Sequence, residues 1–184
     1  MNYENYKASR NLAWEILLNE GINELPINVS ALCRSIGIPI KYYDPPDDND
    51  GKCEMVGSRP VIYIKKDCYR PRQRFTAAHE LGHILLGHVG KYKLVNREPS
   101  KNDNPIEQAA NVFASRLLAP ACVLWGCNVK TAADIMRLCD ISHQSAEYRM
   151  IRMEELYSRN KFLLSPLERA VYEQFQDYIK ANRL

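Results

Sequence analysis

Residues 74–88 read RFTAAHELGHILLGH, and the fold of this chain turns on how that stretch is read. Pro71, just upstream, suits the first turn of a helix, which is expected to run to about His88. Within it His79 and His83 are four residues apart, one turn above each other, so both imidazoles point to the same side. One Zn2+ can bridge two such nitrogens at roughly 2.0–2.1 Å each. Glu80 lies about 100° around the helix from His79, where it can reach a water on the metal without taking a coordination position. Phe75, Ala78, Gly82 and Leu85, spaced three, four and three, are expected to form the opposite, apolar face that seats the helix in the core. An HExxH string also arises by chance in unrelated helices. Here the chain has only four histidines, and two of them fall in this motif.

A catalytic zinc needs a third protein ligand and an open position for water. His88 suggests the HExxHxxGxxH pattern of metzincins, but that pattern wants a glycine and a histidine where the chain has Leu86 and Val89. His88 is therefore read as a helix-end histidine. Glu107 is the better candidate. It sits early in a second expected helix, NPIEQAANVFASRLLAP (104–120), with Asn111 one turn further along the same face. A carboxylate ligand followed by a side chain able to bond a metal-ligating histidine is a sound arrangement. The same glutamate also stands where a capping-box glutamate would stand behind Asn104. Pattern alone leaves both roles open.

Outward from these segments, Ala8, Leu12, Ala13, Ile16 and Leu17 mark a helix over 4–20, with Gly21 as its stop. Asn28 can cap a short helix closed by Gly37, and IPIKYY (38–43) is a strand candidate. CEMVG (53–57) and VIYIK (61–65) form a hairpin whose pairing Pro60 limits. The polar stretch Lys91 to Asn104 is expected to be a loop, and the helix begun at Asn104-Pro105 should end before Pro120. Thr131 and Ser142 each cap a further helix, and Ser165-Pro166-Leu167-Glu168 is a capping box for a helix running nearly to the C-terminus.

The two motif segments together resemble the ImmA/IrrE family of bacterial and phage metallopeptidases. The resemblance rests on Arg74 to His83, on Glu107-Gln108-Ala109-Ala110-Asn111-Val112-Phe113-Ala114, and on Leu117-Leu118-Ala119-Pro120, and covers roughly residues 25–155. It implies one zinc per chain held by His79, His83 and Glu107, with Glu80 as the catalytic carboxylate. It also implies peptide-bond hydrolysis in a protein substrate, a helix-turn-helix transcriptional repressor of mobile elements or of stress-response genes. Ala109 stands where many members carry a second glutamate, and Ala119 where methionine is frequent. The expected fold is α+β, mostly helical and zincin-like with a small β-sheet. Residues 1–129 are expected to form the metallopeptidase core, and 130–184 a helical, helix-turn-helix-like extension packed on it.

VIYIK could pair with an extended substrate or be purely internal. His143, Tyr148 and Arg149 are candidate donors to the transition state, although capping by Ser142 and helix solvation explain that segment equally well. The basic cluster Lys65, Lys66, Arg70, Arg72 and Arg74 is read as a solvated face. Direct nucleic-acid binding by 130–157 is not expected, because residues 121–184 carry nine Lys/Arg against eight Asp/Glu and so no basic face. A net charge of +3 adds no pull toward nucleic acid or membrane. No signal layout and no apolar run approaching a membrane span is read, and the six cysteines form no CxxC pair, so inert thiols in a reducing cytoplasm are expected. The rival functional class is a non-catalytic, zinc-stabilised binding or regulatory module, which would have no need of Glu80.

Overall fold

The computed structural model describes residues 3–45, 49–89 and 104–184, so the loop expected from Lys91 lies outside the described residues up to Asn104. The fold is α+β: α1 (Tyr3–Asn19), α2 (Val29–Ser35), β1 (Ile40–Tyr43), β2 (Gly51–Val56), β3 (Arg59–Lys65), then α3 (Arg70–Leu85) and α4 (Pro105–Leu118). Five shorter or C-terminal helices follow: α5 (Ala121–Gly126), α6 (Ala132–Cys139), α7 (His143–Ser158), α8 (Pro166–Gln174) and α9 (Gln176–Ala181). By mutual contact the chain gathers into two compact units, Met1–Leu12 with Asn28–Ala114, and Ala13–Ile27 with Ser115–Leu184. Residues 115–129 thus group with the C-terminal helices, as do Ala13–Ile27.

The first unit is built on a three-stranded sheet in the order β1-β3-β2, with β1 parallel and β2 antiparallel to β3. Val56 and Arg59 close a hairpin with Gly57 and Ser58 at its tip, and Gly57 takes the positive φ of 63° that such a turn needs. Pro60 is tolerated for a specific reason. The Ile62 N–H donates to the Pro39 carbonyl on the β1 side, and Pro60, two residues earlier, directs its N–H-less nitrogen to that same side, beyond the point where β1 begins. VIYIK therefore forms the central strand, paired along both edges. The substrate-pairing reading of this strand is overturned and the internal one stands.

Ile62 and Ile64, on one face of β3, are buried, and α3 packs against β2 and β3. Gly51 lets α3 approach: a Cβ there would stand 2.5 Å from Thr76 Cγ2 and 2.6 Å from the Tyr63 carbonyl. The expected single apolar stripe on α3 is not what forms. Thr76, Ala77, Ala78, Glu80, Leu81, Gly82 and His83 are all buried, while Phe75 and Leu85 are only half-buried. Phe75, one turn from His79, lies beside that ring (centroids 6.4 Å, interplanar 29°) instead of opposite it. Two of the five basic residues pair with the acidic turn after β1, Lys66 with Asp44 at 3.1 Å and Arg72 with Asp50 at 2.6 Å.

In the second unit, Trp125 stacks on Phe162 (5.3 Å, 16°), and the Gln174 amide donates to the Leu17 and Ile22 carbonyls, tying α8 to the end of α1. Thr131 and Asp134 form a reciprocal capping box, and Ser142 accepts from the Ser145 N–H. Ser165 caps α8 as expected, but the Glu168 carboxylate accepts from Leu164 and the helix breaks at Phe175, so the C-terminal segment is two helices. α5 was not anticipated, because Pro120 hides a helix start behind a helix stop. Pro105–Gly126 is the one stretch among the described residues long and apolar enough to cross a membrane by length and composition, against the sequence reading, since only Glu107 and Arg116 are charged. It breaks at Pro120 and is 67% buried in the protein, as core helices are.

Two predictions follow from this packing. Burial pushes the Cys33 thiol up to about 12 and Cys127 to about 11, and Cys122 higher still. Cys53 and Cys68 are half-buried, with Cys68 also raised by burial and by Asp50. A maleimide at neutral pH should label Cys53 first and Cys68 more slowly, and reach Cys33, Cys122, Cys127 and Cys139 only on unfolding, as peptide mass mapping would show. At Gly82 a Cβ would lie 3.0 Å from Phe113 Cδ1 and 3.2 Å from its Cβ, and Phe113 has no exposed surface through which to yield. Gly82→Ala gains about 1 kcal/mol of helix propensity but should lose about 1–3 kcal/mol to overpacking. The expected net effect is a lower melting temperature.

Candidate metal centre

Two helices bring the donors together. On α3 the four-residue spacing stacks His79 and His83, with ring centroids 4.7 Å apart and planes at 72°. On α4 the Asn104 side chain takes the capping role by accepting the Ile106 N–H at 3.0 Å, which leaves Glu107 free to turn to the histidines. Its Oε2 is 3.2 Å from His79 Nε2 and its Oε1 3.4 Å from His83 Nε2, while the two Nε2 atoms are 3.0 Å apart. Ligand atoms at 2.0–2.1 Å from a tetrahedral zinc stand roughly 3.3 Å from one another, so this spacing fits a metal ion. His79, His83 and Glu107 are the set among the described residues that could hold one.

The outer nitrogens fix the tautomers. His79 Nδ1 stands 2.9 Å from Asn111 Oδ1, an acceptor, so Nδ1 carries the proton and Nε2 presents a lone pair inward. His83 Nδ1 is 3.0 Å from His88 Nδ1. Burial, and then the neighbouring His83, push His88 down to about 4, so its ring is neutral near pH 7 and can accept. Two imidazole lone pairs and a carboxylate then face one point, an arrangement that favours a cation. Side-chain exposure is 13% for His79, 7% for His83 and 27% for Glu107, so the cluster is shielded but open at the carboxylate. Glu80, on the same helix, is 0% exposed.

Residues 33–150, more than half of the chain, match the IrrE N-terminal-like domain of a peptidase family. The chain belongs to that family. A curated relative, the radiation response metalloprotease IrrE of Deinococcus deserti, is 34% identical over 101 residues, 49% of this chain and 35% of that protein. The chain thus spans about a third of the relative's length. Membership makes this a metallopeptidase-family domain, and the site's donor chemistry agrees with it.

Of the residues singled out in the sequence, the structure brings together His79, His83, Glu107 and Asn111. His143, Tyr148 and Arg149 fall in the other compact unit. His143 is exposed and pairs with Glu147 at 3.3 Å, and Tyr148 is exposed. Arg149 is buried and its Nε donates to the Ala119 carbonyl at 2.8 Å, a bond that holds the α4–α5 junction. His88 was set aside as a helix-end residue, yet it lies against the cluster.

Glu107→Ala should remove one of three donors. Asn111→Ala should leave all three and weaken Zn2+ binding only by the roughly 10–100-fold typical of losing a ligand's partner. Competition with a chromophoric chelator is expected to rank wild type above Asn111→Ala and Asn111→Ala above Glu107→Ala.

Proposed function

We propose that this protein is a zinc-dependent endopeptidase in which His79, His83 and Glu107 bind the metal and Glu80 is the general base. The observation that carries the reading is the convergence of three donor atoms at 3.0–3.4 Å, with a fully buried carboxylate one residue along from His79. His79, His83 and Glu107 would hold a zinc ion, which would supply Lewis-acid polarisation of the scissile carbonyl and acidify the attacking water. Glu80 takes the proton from the attacking water and delivers it to the leaving amine. Asn111 holds the His79 ring in the tautomer that presents Nε2.

A catalytic role is favoured over a purely structural zinc by the cost of Glu80. Burying a carboxyl group costs desolvation, and a structural site gains nothing from it. The substrate is proposed to be a protein, a DNA-binding repressor of the helix-turn-helix class, on the strength of the family resemblance. Direct contact with nucleic acid or membrane forms no part of this proposal. The proposed setting is the cytoplasm, where thiols stay reduced.

The test is incubation of zinc-loaded protein with the repressor encoded beside its gene, with fragments read by mass spectrometry. Wild type should cleave. Glu80→Gln should bind zinc equally well and lose at least the roughly 10²–10⁴-fold that a positioned base contributes. Undiminished turnover by Glu80→Gln would remove that residue from the mechanism.

A further inference from the structure

We propose that His88 is a positioning residue for the metal ligand His83, its Nδ1 accepting the His83 Nδ1–H and so keeping the Nε2 lone pair turned to the metal. This rests on the reading of His79, His83 and Glu107 as a metal site. The case begins with the way α3 ends. Leu86 is the C-cap, Gly87 follows with a positive φ of 70°, and His88 comes next. The Gly87 N–H donates to the Ile84 carbonyl at 3.0 Å, and the His88 N–H reaches back to the His83 carbonyl at 2.9 Å. That bond pair is a Schellman stop, which brings the residue after the glycine back against the one five positions earlier. Ordinarily that pair makes an apolar contact. Here both members are histidines.

The side chains complete what the backbone begins. The rings lie 5.1 Å apart at 66°, and their Nδ1 atoms meet at 3.0 Å. Two bare lone pairs at that distance would repel, so one nitrogen carries a proton. His83 is the donor, because its Nε2 is the atom facing His79 Nε2 and Glu107 Oε1. His88 then does for His83 what Asn111 does for His79 at 2.9 Å. One ligand is oriented by the neighbouring helix and the other by its own helix's stop.

Zn2+ affinity, by chelator competition, and the visible absorption of the Co2+-substituted protein should be compared for wild type, His88→Leu and His88→Asn. Loss of binding in His79→Ala first establishes the metal site by itself. His88→Leu is expected to bind Zn2+ about 10–100-fold more weakly and to alter the Co2+ spectrum. His88→Asn, whose Oδ1 can stand where Nδ1 stood, should recover most of the affinity and the wild-type spectrum. Unchanged affinity and spectrum in His88→Leu would overturn the proposal. So would equal loss in the Leu and Asn variants, which would make His88 a packing residue. Wild type that binds no zinc would instead sink the metal reading on which the proposal stands.

Discussion

The close approach of α3 to α4 at Gly82 is the constraint on which the donor set depends. A carboxylate side chain is short, and Glu107 can meet two imidazoles on another helix only if the two helices nearly touch. Gly82, one residue before His83, supplies that closeness, because Phe113 occupies the space where a Cβ would be. Asn111 stands one turn beyond Glu107 on the same face of α4, so the approach that admits Glu107 also brings the amide to His79. α3 is held from its other side by the sheet, where Gly51 makes room for Thr76. Small residues on both sides of one helix thus set a donor spacing of 3.0–3.4 Å.

Electrostatics then decides what such a pocket favours. Three electron-rich atoms around one point repel in the low dielectric of a protein interior. The outer nitrogens are partnered by Asn111 and His88, which holds both rings in the tautomer that keeps lone pairs inward. A divalent cation relieves the repulsion, and the family to which the chain belongs is one of metallopeptidases. Glu80, on α3 beside the two histidines, adds a fully buried carboxyl group. Its cost falls on stability and its proposed benefit on catalysis.

The C-terminal helices carry a different kind of order. Arg149 is buried on a backbone carbonyl, Gln174 bridges two carbonyls at the end of α1, and Trp125 stacks on the buried Phe162. These bonds satisfy polar groups at helix ends that would otherwise be costly to bury. That explains why a segment rich in His, Tyr and Arg reads from sequence as a set of candidate donors. The same residue types serve catalysis and helix-end bonding, and only the partner tells them apart.

The sequence by itself determined what local chemistry can determine. Helical spacing placed His79 and His83 on one face, caps at Asn28, Thr131, Ser142 and Ser165 marked helix starts, and the paired motifs pointed to the family. Tertiary structure decided the matters that depend on partners distant in the chain. VIYIK became a central strand because β1 arrives in parallel on its free edge. Phe75 went beside His79, and α3 was buried nearly all round, because the sheet and α4 both close on it. Glu107 turned to the histidines, and Asn104 accepts the Ile106 N–H at the helix start. His88 was legible in principle, since a histidine five residues before His88 with Gly87 between them fits a Schellman stop. What no local pattern contains is whether the two rings meet nitrogen to nitrogen, because that depends on what holds His83 from its other side.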